Sequence, residues 1–303
     1  MDKSVILITG AGSGIGKLSA QSLALAGHTV YASMRAIDGR NAGRAAEMRA
    51  WARETGADLR PLELDVLSQD SADAAVAAIV GEQGRLDVVV QNAGHLVVGP
   101  VEAFSAEEVM AVLDTNLLGA QRVLRAALPQ LRAQQSGLLL WISSTTTKGG
   151  FPPFLGPYGA AKAAMDALAV SLSYEVARFG IETAIMVPGA FTRGTEHFPS
   201  AGKPRDQERS RAYDARYQGL MDQVGQRLDA LTPPEASPQA VADELVRIVG
   251  LPAGQRPYRS VVDFVGDGAR EVLDVAETVR IDFARRIGIA DLLAPTLPAA
   301  AAV

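Results

Sequence analysis

Tyr158 and Lys162 stand four residues apart in "PYGAAK" (157–162), at the start of a segment with helical spacing. One helical turn separates them, so a phenol and an ammonium share a face. A phenol ionises at about pH 10 and is a weak base at neutral pH. A fixed cation beside it favours the phenolate and brings its proton into a usable range. The pair reads as a proton donor and acceptor for a reacting oxygen. On its own it equally describes a Tyr and a Lys on an ordinary surface helix, so the surroundings must decide.

A second chemical signal lies at the start of the chain. "LITGAGSGIG" closes a strand pattern and opens a helix pattern, with Gly10, Gly14 and Gly16 in G-x-x-x-G-x-G spacing. Missing side chains let the backbone turn tightly and approach a pyrophosphate, whose charge the helix N-terminus favours. Strand, turn and helix come in the order that dinucleotide binding requires.

The elements that position these residues alternate. Short apolar runs at 4–9, 28–33, 58–64, 85–91, 137–143 and 181–187 predict buried parallel strands. Ala-rich amphipathic stretches at 15–26, 41–55, 70–82, 114–134 and 158–179 predict the helices between them. Further on, a helix is expected near 237–249, a last strand at 259–265 and a charged amphipathic segment at 268–287. This predicts an α/β fold: a doubly wound (Rossmann) parallel sheet of about seven strands with helices on both faces. We expect one dinucleotide-binding and catalytic domain over 1–265. Within it, an excursion at about 189–235, rich in Pro, Gly and charge, would cover a pocket. Residues 266–303 would form a helical C-terminal extension with a frayed tail.

Composition narrows the function classes. The chain has 303 residues, 48% hydrophobic and 21% charged, with a net charge of -5 and no basic run, which disfavours nucleic-acid and anionic-membrane partners. It has no cysteine, and its histidines at 28, 95 and 197 have no metal-ligand spacing, so no metal site is expected. "MDKSVILITG" enters a strand pattern directly, and no apolar run reaches membrane-spanning length, so a cytoplasmic protein is expected.

The G-x-x-x-G-x-G turn, "NAG" (92–94) after the fourth strand and Tyr158-x-x-x-Lys162 occur in this order. In them the sequence resembles the compact, single-domain short-chain dehydrogenases/reductases over about residues 3–265. Within that family it is similar to bacterial relatives of 17β-hydroxysteroid dehydrogenase. The resemblance implies Tyr158 as general acid/base and Lys162 as the cation that lowers its pKa and holds the nicotinamide ribose. It implies Asn116 of "DTNLLG" as holder of a relay water, and a serine after the fifth strand as hydrogen-bond donor to the substrate oxygen. Counting back from Tyr158 lands on Thr145, whereas the distance to Phe151 and Pro152 selects Ser144. We take Ser144, with Thr145 as the alternative and Ser143 as a structural hydroxyl.

The resemblance also implies a cofactor cradle. It comprises Gly10, Ser13, Gly14, Ile15 and Gly16 on the turn, Asp65 and Val66 beside the adenine, Asn92, Ala93 and Gly94, and Pro188, Gly189 and Thr192 beside the nicotinamide. The second strand ends "VYASMR", with Arg35 where an acid would bind the ribose diol of NAD(H). Arg35, helped by Arg40 or Arg44, suits a 2′-phosphate and favours NADP(H), with NAD(H) the alternative. Leu96, Val97, Phe151, Phe154, Leu155, Phe191 and Phe198 are expected to wall a pocket for a lipophilic or aromatic carbonyl or secondary-alcohol substrate. His95 is expected to be a satisfied structural histidine. The turn spacing speaks against an epimerase or dehydratase of the extended branch. A cofactor-sensing regulatory protein would be free to lose Tyr158, Lys162 or Asn116, and all three are present. Ala120, Ala126, Ala127, Ala163, Ala164 and Ala167 on the helices at 114–134 and 158–179 suggest a homodimer, with a tetramer as the larger alternative.

Overall fold

The computed structural model describes residues 3–297. Seven strands form one sheet: β1 (Val5–Ile8), β2 (Thr29–Met34), β3 (Leu59–Glu63), β4 (Val88–Gln91), β5 (Gly137–Ile142), β6 (Ile181–Pro188) and β7 (Arg259–Val262). Their order is β3-β2-β1-β4-β5-β6-β7, and every neighbouring pair is parallel. The helices are α1 (Gly14–Leu25), α2 (Ala42–Thr55), α3 (Gln69–Gln83), α4 (Ala106–Leu113), α5 (Gly119–Gln134), α6 (Gly156–Ala177), α7 (Gln207–Arg216), α8 (Leu220–Leu231), α9 (Gln239–Gly250) and α10 (Ala269–Arg286).

Strand periodicity builds two cores from one sheet. Successive side chains point to opposite faces. Val5, Leu7, Val89, Leu139, Trp141 and Ile185 therefore join α3, α5, α6 and α10 on one side. Ile6, Ile8, Val88, Val90, Leu140 and Met186 join α1, α2 and α9 on the other. Strands buried on both faces need continuous apolar runs, and all residues of β1, β2 and β4 are buried. β3 carries Pro61, which is tolerated because β3 is an edge strand.

The structure departs from expectation in two places, the helix before α5 and the packing of α10. An unanticipated helix, α4, precedes the one expected at 114–134. Its signature was present: Ser105 caps the Glu108 amide, and the Glu108 side chain returns to the Ser105 amide. A π-turn, Asp114–Leu118, joins α4 to α5. The excursion has the expected form, a coil from 189 to 206 and then the helices α7 and α8. Finally, α10 shares the main core through Ala269 and Leu273 rather than trailing from it. Apart from Leu297, the expected frayed tail lies outside the described residues. Among the described residues no helix is long and apolar enough to cross a membrane.

A buried ion pair ties the C-terminal edge of the sheet to α6. Arg259 of β7 donates two parallel 2.8 Å hydrogen bonds to Asp166, and their side chains are 13% and 6% exposed. Ser143 donates a third bond to Asp166 at 3.0 Å, which makes it the expected structural hydroxyl. Removing one partner leaves a buried charge uncompensated. Arg259→Met should therefore cost about 3–5 kcal/mol in urea unfolding, and Asp166→Leu combined with Arg259→Met should cost less. A double variant less stable than the single one would contradict this account.

Candidate functional site

The site begins where the strand order reverses, between β1 and β4. Thr9 follows β1, and its hydroxyl accepts from the amides of both Asn92 and Ala93 at 2.9 Å. The Asn92 side chain donates back to the carbonyls of Thr9 and Gly10, at 2.8 and 3.1 Å. These bonds press the glycine turn against the "NAG" segment. A Cβ on Gly16 would lie 2.4 Å from Asn92 Nδ2, and one on Gly10 would lie 2.8 Å from Ala93 Cα. The turn leaves open backbone where a side chain would intrude, and it faces the N-terminus of α1. This donor-rich cradle fits a dinucleotide pyrophosphate.

A cavity of about 860 Å³ runs from this turn across the sheet's C-terminal edge. Gly10, Ser13, Gly14, Ile15, Gly16, Arg35, Asp65, Val66, Asn92, Ala93, Gly94, Ser144, Tyr158, Lys162, Pro188 and Gly189 all line it. Thr192 does not. Its hydroxyl donates to Asp229 of α8 at 2.8 Å, so it braces the cover instead.

Tyr158 and Lys162 lie on the first turns of α6, both buried. Burial pushes the Tyr158 phenol up to about 12, while interaction with the Ser144 hydroxyl pulls it the other way. Burial also brings Lys162 down to about 8. The expected depression of the phenol by Lys162 is not found: desolvation dominates, and the group that lowers the phenol is Ser144. The ammonium is held by a 2.7 Å bond to the carbonyl of Ile142, the last residue of β5.

Ser144 follows two residues later. Its Oγ accepts from the Thr146 amide and the Thr146 hydroxyl, at 3.2 and 2.9 Å. With both lone pairs engaged, its own proton is left to donate. Thr145 also lines the cavity and is 3% exposed, but Ser144 is the hydroxyl that acts on Tyr158.

Asn116 is buried on the π-turn behind the cavity wall. Its carboxamide donates to the carbonyls of Val112 and His95 and accepts from the His95 amide. A Cβ on Gly94 would lie 2.8 Å from Asn116 Oδ1 and 3.7 Å from Lys162 Nζ, so the two side chains converge beside this glycine.

At the far end, Arg35 and Arg44 reach the cavity; Arg40 does not. The nearby acid, Glu63, is already engaged, accepting from the amides of Ala36 and Ile37 at 2.9 and 2.6 Å. Asp65 accepts from the Leu67 amide at 3.0 Å in a local turn.

The 189–206 coil folds over the other end. Gly202 exchanges backbone bonds with Leu96 and Val98, at 2.9 and 2.8 Å. Glu196 pairs with Arg44 at 3.2 Å. This closure brings in His197, whose ring meets Tyr158 edge-to-face at 5.6 Å. Desolvation, then the Lys162 charge and His95, hold His197 below the usual imidazole range. No local sequence signal marks His197, because only the folded coil brings it to the phenol.

His95 is an exposed cleft residue, not a satisfied core one. Desolvation, then the Arg35 charge, lowers its pKa. Leu96, Val97, Leu155, Phe191 and Phe198 form the expected apolar wall, joined by Phe104 and Val112. Phe151 and Phe154 are not part of it. Phe151 lies against Gly159 and is 48% exposed, and Phe154 packs edge-on against Tyr217.

The family profile described as short chain dehydrogenase matches residues 4–205. The 3-ketodihydrosphingosine reductase of Bacteroides thetaiotaomicron is 36% identical over 194 residues, 64% of this chain and 66% of that protein. The estradiol 17-beta-dehydrogenase 1 of Rattus norvegicus is 37% identical over 232 residues, 74% of this chain and 66% of that protein. The chain thus spans just under two thirds of the length of each. A short-chain dehydrogenase from Streptomyces avermitilis superposes with a TM-score of 0.71 at 27% identity, covering 95% of this chain and 98% of that one. Actinorhodin polyketide ketoreductase, solved with NADPH, superposes at 0.71 with 28% identity, covering 88% of this chain and 97% of that one. The profile takes in the glycine turn, Tyr158 and Lys162 along with most of the sheet that positions them, and the protein belongs to the short-chain dehydrogenase family.

Proposed function

We propose that this protein is an NADP(H)-dependent oxidoreductase that transfers a hydride between the dinucleotide and a ketone or secondary alcohol with a lipophilic or aromatic body. The observation that carries the reading is the meeting of Tyr158, Ser144 and Lys162 in the cavity that the glycine turn also lines. NADP(H) is favoured over NAD(H) by Arg35 at the cavity (Arg44 beside it is paired with Glu196) and by Glu63, whose carboxylate is engaged by backbone amides instead of being free for a ribose diol. The ketoreductase solved with NADPH supports the same choice. The apolar wall of Leu96, Val97, Phe104, Leu155 and Phe198 favours the lipophilic substrate. A cytoplasmic setting, where nicotinamide dinucleotides are at hand, fits this reading.

When bound, the nicotinamide supplies or accepts the hydride. Tyr158 then donates its phenolic proton to the nascent alkoxide in reduction and accepts it in oxidation. Ser144 donates a hydrogen bond to the same oxygen and steadies its developing charge. Lys162, held by the Ile142 carbonyl, would hold the nicotinamide ribose when the dinucleotide is bound. Asn116 shapes the loop next to Lys162 and holds the relay that returns protons from solvent. Thr192 acts indirectly, through Asp229 of the cover. The same reading includes a homodimer through α5 and α6. Ala163 and Ala167 face outward there, while Ala120 and Ala127 are taken up by the protein's own core.

Tyr158→Phe should lower kcat by about 10²–10⁴-fold while the affinity for NADPH, read by fluorescence titration, stays within about twofold. Near-normal turnover would remove Tyr158 from the reaction. Because burial keeps the phenol neutral, up to about 12, ketone reduction should be level across neutral pH. Alcohol oxidation needs the phenolate, so its kcat/KM should keep climbing with pH toward about 12. A flat oxidation profile would contradict the assignment. Arg35→Asp should move the ratio of kcat/KM values for NADPH and NADH toward NADH by about tenfold or more, losing a phosphate partner and gaining a ribose acceptor. An unchanged ratio would place cofactor choice elsewhere.

A further inference from the structure

α10 is apolar on two faces. Its inner face is pinned to the protein: Ala269, Leu273 and Ala284 are buried, and the Arg280 guanidinium lies 3.9 Å from the centre of the Tyr258 ring. Its outer face carries Val272 (46% exposed), Val275 (65%), Val279 (61%) and Phe283 (56%), continued by Ile287 (51%). Steps of three and four residues align these side chains in one stripe. A helix that meets the protein with one face ordinarily presents polar residues on the other. Among the described residues nothing shields this stripe.

We propose that the stripe is an interface with a second copy of this chain, the two α10 helices lying antiparallel with Val279 on the two-fold axis. Positions equally distant from Val279 then meet, so Val275 faces Phe283, and Val272 faces the Arg286–Ile287 end. The exposed charges at the edge of the stripe discriminate between orientations. Glu271 lies toward the N-terminal end, and Arg286 lies at the C-terminal end. In the antiparallel arrangement Glu271 comes within about one residue of Arg286 of the second copy, whereas Asp274 and Arg285 lie more than about 100° round the helix from Val279 and do not reach across. A parallel pair would set each charge against its like, which disfavours it. The exposed charges of the helix, Glu271, Asp274 and Asp282 against Arg285 and Arg286, offer no net attraction to an anionic lipid surface. From Val272 to Ile287 the stripe is about 23 Å long, short for a specific interface, which needs about 1,000 Å² or more. The contact should therefore depend on concentration. It rests neither on the proposed reaction nor on any contact through α5 and α6.

The chain has no cysteine, which permits a clean test. Single cysteines are introduced as Val279→Cys and Val272→Cys in the full chain. Each variant is mildly oxidised at tens of micromolar and run on non-reducing gels. With position 279 on the axis, the two introduced thiols come within disulfide reach. At position 272 each lies about 10 Å along the helix from the axis, so the pair is about 20 Å apart. Val279→Cys should yield a covalent dimer at least about tenfold faster than Val272→Cys. Equal or absent crosslinking at 279 would overturn the proposal. Separately, Glu271→Arg and Arg286→Glu should each weaken association about 3- to 10-fold by sedimentation velocity, because the pair occurs twice across the axis. Their combination should restore it. A double variant no better than either single one would overturn the antiparallel register. Sedimentation with phosphatidylcholine–phosphatidylglycerol vesicles, without crosslinking at 279, would replace the second copy by a membrane.

Discussion

The site depends on the bonds that join the ends of β1 and β4. The side chains of Thr9 and Asn92 make four hydrogen bonds there: the Thr9 hydroxyl accepts from the amides of Asn92 and Ala93, and the Asn92 carboxamide donates to the carbonyls of Thr9 and Gly10. Backbone groups at the ends of parallel strands have no further ladder partner, and leaving them unpaired is costly where water is excluded. Satisfying them with side chains locks two loops from opposite halves of the sheet into one surface. The glycine turn keeps its open backbone because Asn92 fills the space beside it. The segment that follows Asn92 then carries Gly94 and His95 into the cavity.

The same device recurs along the sheet edge. Asn116 clamps both backbone groups of His95, Lys162 is held by the carbonyl of Ile142, and Asp166 binds Ser143 together with Arg259. Each bond ties a strand end to a helix on the same face. The reacting groups proposed for this protein sit on that frame, so their positions follow from the packing of α5 and α6 against β4 and β5. The loops contribute less to placing Tyr158 and Lys162 than to covering them.

Covering changes the electrostatics. A phenol and an ammonium one helical turn apart suggest mutual stabilisation of charge, yet both are removed from water, and the penalty falls on each charged form. The phenol becomes a weaker acid and the ammonium a stronger one. The neighbouring imidazole of His197 shifts toward neutrality for the same reason. In this cavity desolvation sets the direction of all three shifts and keeps the phenol neutral.

The sequence by itself determined the sheet, its helices and the location of the cradle, because those depend on local patterns. Continuous apolar runs mark strands buried on both faces, and glycines at 10, 14 and 16 mark a turn no larger residue fits. α4 was missed, although the capping box from Ser105 to Glu108 marks its start. Tertiary structure alone decided the rest, because it concerns residues distant in the chain that meet only after the coil at 189–206 folds over the cavity. Thr192 turned to Asp229, Phe151 left the wall for solvent and Phe154 for Tyr217, and His197 reached Tyr158. The extent of burial was equally hidden. Spacing along a helix shows which groups are neighbours, but the direction of a pKa shift depends on how much water the surrounding protein removes.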